Sequence, residues 1–69
     1  MKRTPVRSSS IASVAYYAKA RVLEVEFVHG DVYRYQGVPA SVVRAFLSAP
    51  SLGAYLNANI RDVYRYTRV

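Results

Sequence analysis

The sequence has no cysteine, no tryptophan, one histidine and only four acidic residues among 69. Without cysteine there is no disulfide staple and no thiolate zinc site, and one histidine is too few for an all-protein transition-metal cage. No metal and no cofactor is therefore expected. The three glycines, at positions 30, 37 and 53, match no spacing that cradles a phosphate. Long apolar runs are missing as well. The longest uncharged stretch, 45–60, is 16 residues and contains Pro50, Gly53, Asn57 and Asn59, whereas a membrane span needs about 20 mostly apolar residues. Lys2, Arg3 and Arg7 ahead of 11–18 imitate a secretory leader, but Ser13, Tyr16 and Tyr17 weaken its apolar centre. A soluble, cytoplasmic chain with no membrane partner is the expectation.

What remains is a short, apolar, strongly basic chain. A domain of this length buries only about 60% of the surface its unfolded chain exposes, so nearly every apolar side chain is needed for one core. Ten Lys or Arg against four Asp or Glu give a formal charge of +6, a field that attracts RNA, DNA or an acidic protein face. The excess sits at the ends of the chain. Residues 1–21 carry Lys2, Arg3, Arg7, Lys19 and Arg21 and no acid, and 61–69 carry Arg61, Arg65 and Arg68 against Asp62. Between them Arg34 and Arg44 are outnumbered by Glu24, Glu26 and Asp31. A basic patch forms only if the fold brings the two ends to one side.

Residues 1–8, with three cations, Pro5 and the start of a serine run, read as a flexible basic arm, and 9–69 as a single domain. A strand is predicted over 11–17 and a turn over 18–20. Leu23, Val25 and Phe27 then alternate with Glu24 and Glu26, the period of a half-buried strand, and Tyr33 and Tyr35 alternate with Arg34 and Gln36. Parity sets the hairpin: only an odd loop, 29–31 or 28–30 with Gly30 left-handed, keeps Leu23, Val25, Phe27, Tyr33 and Tyr35 on one face. Glu24 or Glu26 then faces Arg34 on the other.

Pro39 is placed in the first turn of a helix whose apolar stripe is Val42, Val43, Phe46 and Leu47, stopped by Pro50. Ser51 caps a second helix with its stripe at Leu52, Tyr55, Leu56 and Ile60. After Asp62 a period of two returns, giving a short strand or an extended tail. The run Asp-Val-Tyr-Arg-Tyr at 31–35 recurs at 62–66, without matching flanks and too few times for a solenoid. The fold class is α+β: a small antiparallel sheet of three to four strands, two helices on one face, order β-β-β-α-α-(β).

Taken in order, Ser9, Ile11, Tyr16, Leu23, Val25, Phe27, Gly30, Tyr33 and Tyr35, Val38-Pro39, Ser51, Gly53, Tyr55, Asn57, Ile60 and Tyr64 resemble the KTSC domain. This small module stands alone or at the C-terminus of some lysyl-tRNA synthetases. The resemblance covers roughly 9–66 and implies the same α+β fold, with Gly30, Tyr33, Tyr35, Ser51 and Gly53 as family positions in a structural role. Residues 18–20 lack the Asp, Gly or Asn that such domains often have at the first turn. The synthetase context suggests RNA binding.

No catalytic residue is expected. His29 and Asp31 fall on a hairpin tip with no marked nucleophile beside them, Ser8, Ser9 and Ser10 lie in the arm or at its end, and the four acids offer no hydrolytic pair. Tyr33 and Tyr35 share their parity with Val25 and Phe27 and are assigned to the core. For nucleic acid, Lys19, Arg21, Arg61, Arg65 and Arg68 would meet phosphates while Tyr64 stacks on a base. The expected function is thus a non-catalytic basic module binding RNA or tRNA. The alternative is a protein-interaction module docking the acidic surface of a partner such as a synthetase or polymerase.

Overall fold

The computed structural model describes residues 3–69, so Met1 and Lys2, the first residues of the expected arm, lie outside the described residues. Seven elements follow in the order β1 (Thr4–Pro5), β2 (Ile11–Tyr17), β3 (Val22–Phe27), β4 (Val32–Gln36), α1 (Ala40–Leu47), α2 (Leu52–Asn59) and β5 (Tyr66–Arg68). All five strands form one antiparallel sheet whose spatial order repeats the chain order. The α+β class is the expected one, with five strands in place of three to four. The extra strand is β1, in the segment read as an arm. Thr4 pairs with Val14 and Pro5 with Ser13, and Val6 N–H donates to the Ala12 carbonyl at 3.2 Å. Pro5 suits this place because an edge strand can spare one N–H.

The hairpin between β3 and β4 uses the 28–30 loop. Phe27 N–H donates to the Asp31 carbonyl at 2.8 Å and Gly30 N–H to the Phe27 carbonyl at 2.9 Å. Gly30 has φ 106°, a conformation that costs glycine nothing. The register follows: Leu23 faces Tyr35, Glu24 faces Arg34 and Val25 faces Tyr33. On β2, Val14 and Tyr16 lie opposite Val25 and Leu23 and join the same inner face. A bulge between Ile11 and Ser13 shifts parity by one residue, which brings Ile11 back inward opposite Phe27.

The helices cover that inner face. Val43 and Phe46 of α1 and Leu52 and Leu56 of α2 meet Ile11, Val14, Leu23, Val25, Tyr35, Val38 and Ile60 in one core. Two expectations about α1 change. Pro39 is the N-cap, one residue ahead of the first turn, with φ −70° and ψ 155°; its extended ψ turns the chain from buried Val38 into the helix. Leu47 is 49% exposed, and the buried contact of the helix is carried by Val43 and Phe46. Ser51 caps α2, its Oγ accepting from Ala54 N–H at 3.3 Å. No helix among the described residues is long and apolar enough to cross a membrane.

The outer sheet face is polar and internally paired. Glu24 accepts from Arg3 at 2.9 Å and from Arg34 at 2.8 Å, and its side chain is only 6% exposed. Ser13 Oγ donates to Glu26 at 2.7 Å. The sequence left Glu24 or Glu26 opposite Arg34; the register selects Glu24, and Arg3, just ahead of β1, makes the second ion pair to the same buried carboxylate.

Candidate nucleic-acid interface

The turn between β2 and β3 occupies 18–21, one residue more than predicted. Register leaves four residues between Tyr17 and its partner Val22, and the last of them, Arg21, takes φ 55° to bring the chain back. Arg21 N–H donates to the Ala18 carbonyl at 3.3 Å, and the Arg21 carbonyl accepts from Val38 N–H at 2.9 Å. On the far side of β4 the Arg65 carbonyl accepts from Gln36 N–H at 2.7 Å. Both attachments fall on 36–38, so Lys19, Arg21 and Arg65 crowd one end of the sheet, within roughly 10–15 Å at ordinary strand spacing. All three are exposed. Among the described residues none of them makes a salt bridge, whereas Arg3 and Arg34 hold Glu24 and Arg68 holds Asp31.

Arg68 lies elsewhere. It pairs with Asp31 at 3.1 Å, and Val69 N–H donates to the Val32 carbonyl at 2.8 Å, which puts it at the opposite end of β4. Asp31 also meets His29 at 3.2 Å. Tyr64 stands in the turn before β5, half-buried against the core, with its N–H on the Ile60 carbonyl at 3.1 Å. Arg34 is held above its ordinary pKa by the hydrogen bond and the charge of Glu24, so its positive charge is neutralised locally.

Arg61 follows α2, where its N–H caps the Leu56 carbonyl at 2.8 Å. Its guanidinium reaches Asn57 Oδ1 at 3.5 Å. Both line a groove of about 200 Å³ between α2 and the sheet, whose other walls are Phe27, His29, Tyr33, Tyr35 and Leu56. Its sheet wall is a chain of rings. His29 stacks on Phe27 with centroids 5.6 Å apart, Phe27 meets Tyr33 edge-on at 5.4 Å, and Tyr66 stacks on Tyr33 at 5.0 Å. Tyr35 is 1% exposed. Burial pushes its phenol up in pKa and the neighbouring Tyr33 adds to that, while Arg61 pulls the other way.

Sequence reasoning named the cations but missed the groove. Asn57 and Arg61 are four apart, a helical spacing that could have joined them although Arg61 follows the end of α2; nothing in the sequence joins either to Phe27 or His29. It also did not anticipate that Tyr66 stacks on Tyr33, while Tyr64, expected to stack on a base, is half-buried against the core. A second, more polar groove runs along Arg7, Ser8, Ser9, Ser10, Ser51, Gly53 and Asn57, where the serine run meets the start of α2. Among the described residues no three His, Cys, Asp or Glu side chains gather as metal ligands.

The sequence model of a family described as the KTSC domain matches residues 7–66. An uncharacterized protein of Stutzerimonas stutzeri (strain A1501) is 46% identical over 70 aligned positions, covering 100% of this chain and 99% of that protein. A lysine–tRNA ligase of Nostoc punctiforme is 34% identical over 61 positions, 88% of this chain but 11% of the ligase. The chain thus spans about a tenth of that enzyme. Among solved structures, a KTSC domain protein from Yersinia pestis superposes with a TM-score of 0.92 at 35% identity, covering 99% of this chain and 96% of that one.

Proposed function

This chain belongs to the KTSC domain family, and from the cationic end on that fold we propose that it is a non-catalytic, cytoplasmic module that binds single-stranded RNA or the unpaired parts of tRNA. The observation that carries this reading is the clustering of Lys19, Arg21 and Arg65 at one end of the sheet with no acid paired to them among the described residues. Exposed cations without internal partners are free to neutralise phosphates and so release the counterions condensed along a nucleic-acid strand, which supplies the sequence-independent part of its affinity. Arg61, beside the aromatic groove that reaches His29 at the hairpin tip, is a further exposed cation with no acid paired to it among the described residues. The likeness to part of a lysine–tRNA ligase supports an RNA partner over DNA.

The test is anisotropy of labelled single-stranded RNA, tRNA and duplex DNA over a salt series. Four neutralised phosphates give a log-log slope of roughly −3 on a single strand, at about −0.7 each. Arg65→Ala removes about one such unit; Arg68→Ala, whose guanidinium is already held by Asp31, removes little. No binding at low salt overturns the proposal. A second reading has one observation in its favour: β5 is a free sheet edge with exposed Val63, Tyr66 and Val69 around it, where an acidic partner could add a strand. A nuclease-resistant complex carrying an acidic protein, with no RNA affinity, is the outcome that selects it.

A further inference from the structure

Tyr35 is a polar group without a hydrogen-bond partner among the described residues, yet no fully enclosed side-chain polar atom among them is left unsatisfied. The sliver of Tyr35 that remains exposed, 1%, therefore includes the hydroxyl. Tyr35 lines the groove between α2 and the sheet. A buried phenol that offers its O–H to a groove, rather than to the backbone as Tyr16 does to the Val38 carbonyl at 2.7 Å, is poised for a ligand atom.

The rest of the groove narrows the ligand. Its sheet wall is aromatic from His29 through Phe27 to Tyr33, which favours a flat ring. Its volume of about 200 Å³ is below the ~300 Å³ at which drug-sized sites begin, so it takes one ring system. The rim holds the Asn57 amide, both donor and acceptor, and Arg61, whose one contact to Asn57 is long at 3.5 Å and leaves most of its donors open. A flat ring with donors and acceptors on its edge, attached to an anion, is a nucleotide. We infer that this groove is a base subsite, holding one unpaired nucleobase of a bound strand against the Phe27–Tyr33 wall, with its polar edge at Tyr35 and Asn57 and its phosphate at Arg61. Burial, which keeps the Tyr35 phenol protonated, preserves the donor. This inference rests on the RNA reading above and assigns that strand a fixed point of contact; base stacking and edge hydrogen bonds give register where phosphate contacts alone give none.

Titration of the full chain with each of the four 5′-nucleoside monophosphates, followed by amide NMR shifts, tests the groove without requiring a strand. Inorganic phosphate and an acidic, tyrosine-containing peptide are the controls. Nucleotides are expected to shift Tyr33, Tyr35 and Asn57, and Tyr35→Phe and Asn57→Ala each to weaken them about five- to tenfold, the loss of one hydrogen bond. Phosphate alone leaves Asn57 unmoved. In a single-stranded RNA containing one 2-aminopurine, the protein quenches the probe and Tyr35→Phe restores part of its emission. Strand binding with unchanged affinity in both variants and no quenching overturns the subsite while leaving the RNA reading intact. Nucleotide shifts in the groove with no strand binding do the reverse. Shifts confined to 19–21, or a peptide that occupies the groove where nucleotides do not, overturn the subsite. Asn57 is exposed on a helix surface, so Asn57→Ala decides the matter even if Tyr35→Phe fails to fold.

Discussion

Gly53 and Ser10 meet so closely that a Cβ added to the glycine would stand 2.7 Å from Ser10 Oγ, with Ser10 Cβ at 4.0 Å. The obstacle is one hydroxyl, not backbone. Alanine is favoured over glycine in a helix interior by about 1 kcal/mol, so two opposed effects act at this position. Gly53→Ala alone is expected to be close to neutral, because Ser10 must rotate away from its contacts near Ser8. In a Ser10→Ala background the same change should stabilise, by up to about 1 kcal/mol, since Gly53 is in the first turn of α2 and not in its interior. Urea unfolding of the four proteins in the cycle measures the difference, and equal effects in both backgrounds contradict the close approach.

Arg21 carries a different strain. A side chain at φ 55° costs roughly 1–2 kcal/mol, and glycine relieves most of it. Arg21→Gly is expected to raise stability by about 0.5–1 kcal/mol while lowering affinity for RNA, so that stability and binding move in opposite directions. A thermal melt beside an anisotropy titration reads both. A less stable glycine variant would show that the turn is relaxed as it stands.

Glu24 anchors the outer face through Arg3 and Arg34 with only 6% of its side chain exposed. Glu24→Gln keeps the shape and removes the charge that both guanidiniums address. Hydrogen bonds to a buried charged group are worth about 1.5–3 kcal/mol; the half-exposed arginines can rehydrate, so a loss near 1 kcal/mol is expected, or about 4–8 °C in Tm for a domain of this size. An unchanged melting temperature would mean that the pairs contribute nothing net.

The buried phenol makes stability fall in alkali. Burial, reinforced by Tyr33, holds the Tyr35 pKa above 10.0, its ordinary value. Above about pH 10 the unfolded chain gives up this proton while the folded chain keeps it. The folded state then binds more protons, and stability declines as pH rises. Its contribution is fully present below about pH 10 and is lost as pH climbs through the folded pKa. Tyr35→Phe should show a shallower decline above about pH 10 than the parent chain. Identical slopes in denaturant unfolding would remove Tyr35 as the cause.

The parts of this fold that show in the sequence are those with a period of their own. Leu23, Val25 and Phe27 against Glu24 and Glu26 fix the faces of β3, and Gly30 then selects the loop that carries the same parity to Tyr33 and Tyr35. Ser51 marks a cap because its neighbours on both sides restrict the choice. β1 has no such mark, because two residues show no alternation; it exists through pairing with Ser13 and Val14 of β2. The bulge at 11–13 breaks the period that would otherwise run the length of β2. Burial of Glu24 depends on Arg3, 21 positions away, and the groove draws on β3, β4 and α2 together. Juxtapositions of that kind have no local signature.

Strand order that repeats chain order also has a kinetic meaning. β2, β3 and β4 join through turns of adjacent sequence, so their pairing closes small loops quickly. Only β5 must wait for the excursion through both helices before it reaches β4. Late docking of β5 predicts that truncating Tyr66 hastens unfolding and leaves the folding rate nearly untouched, and that the ring stacked on Tyr33 arrives after the aromatic wall beneath it is built.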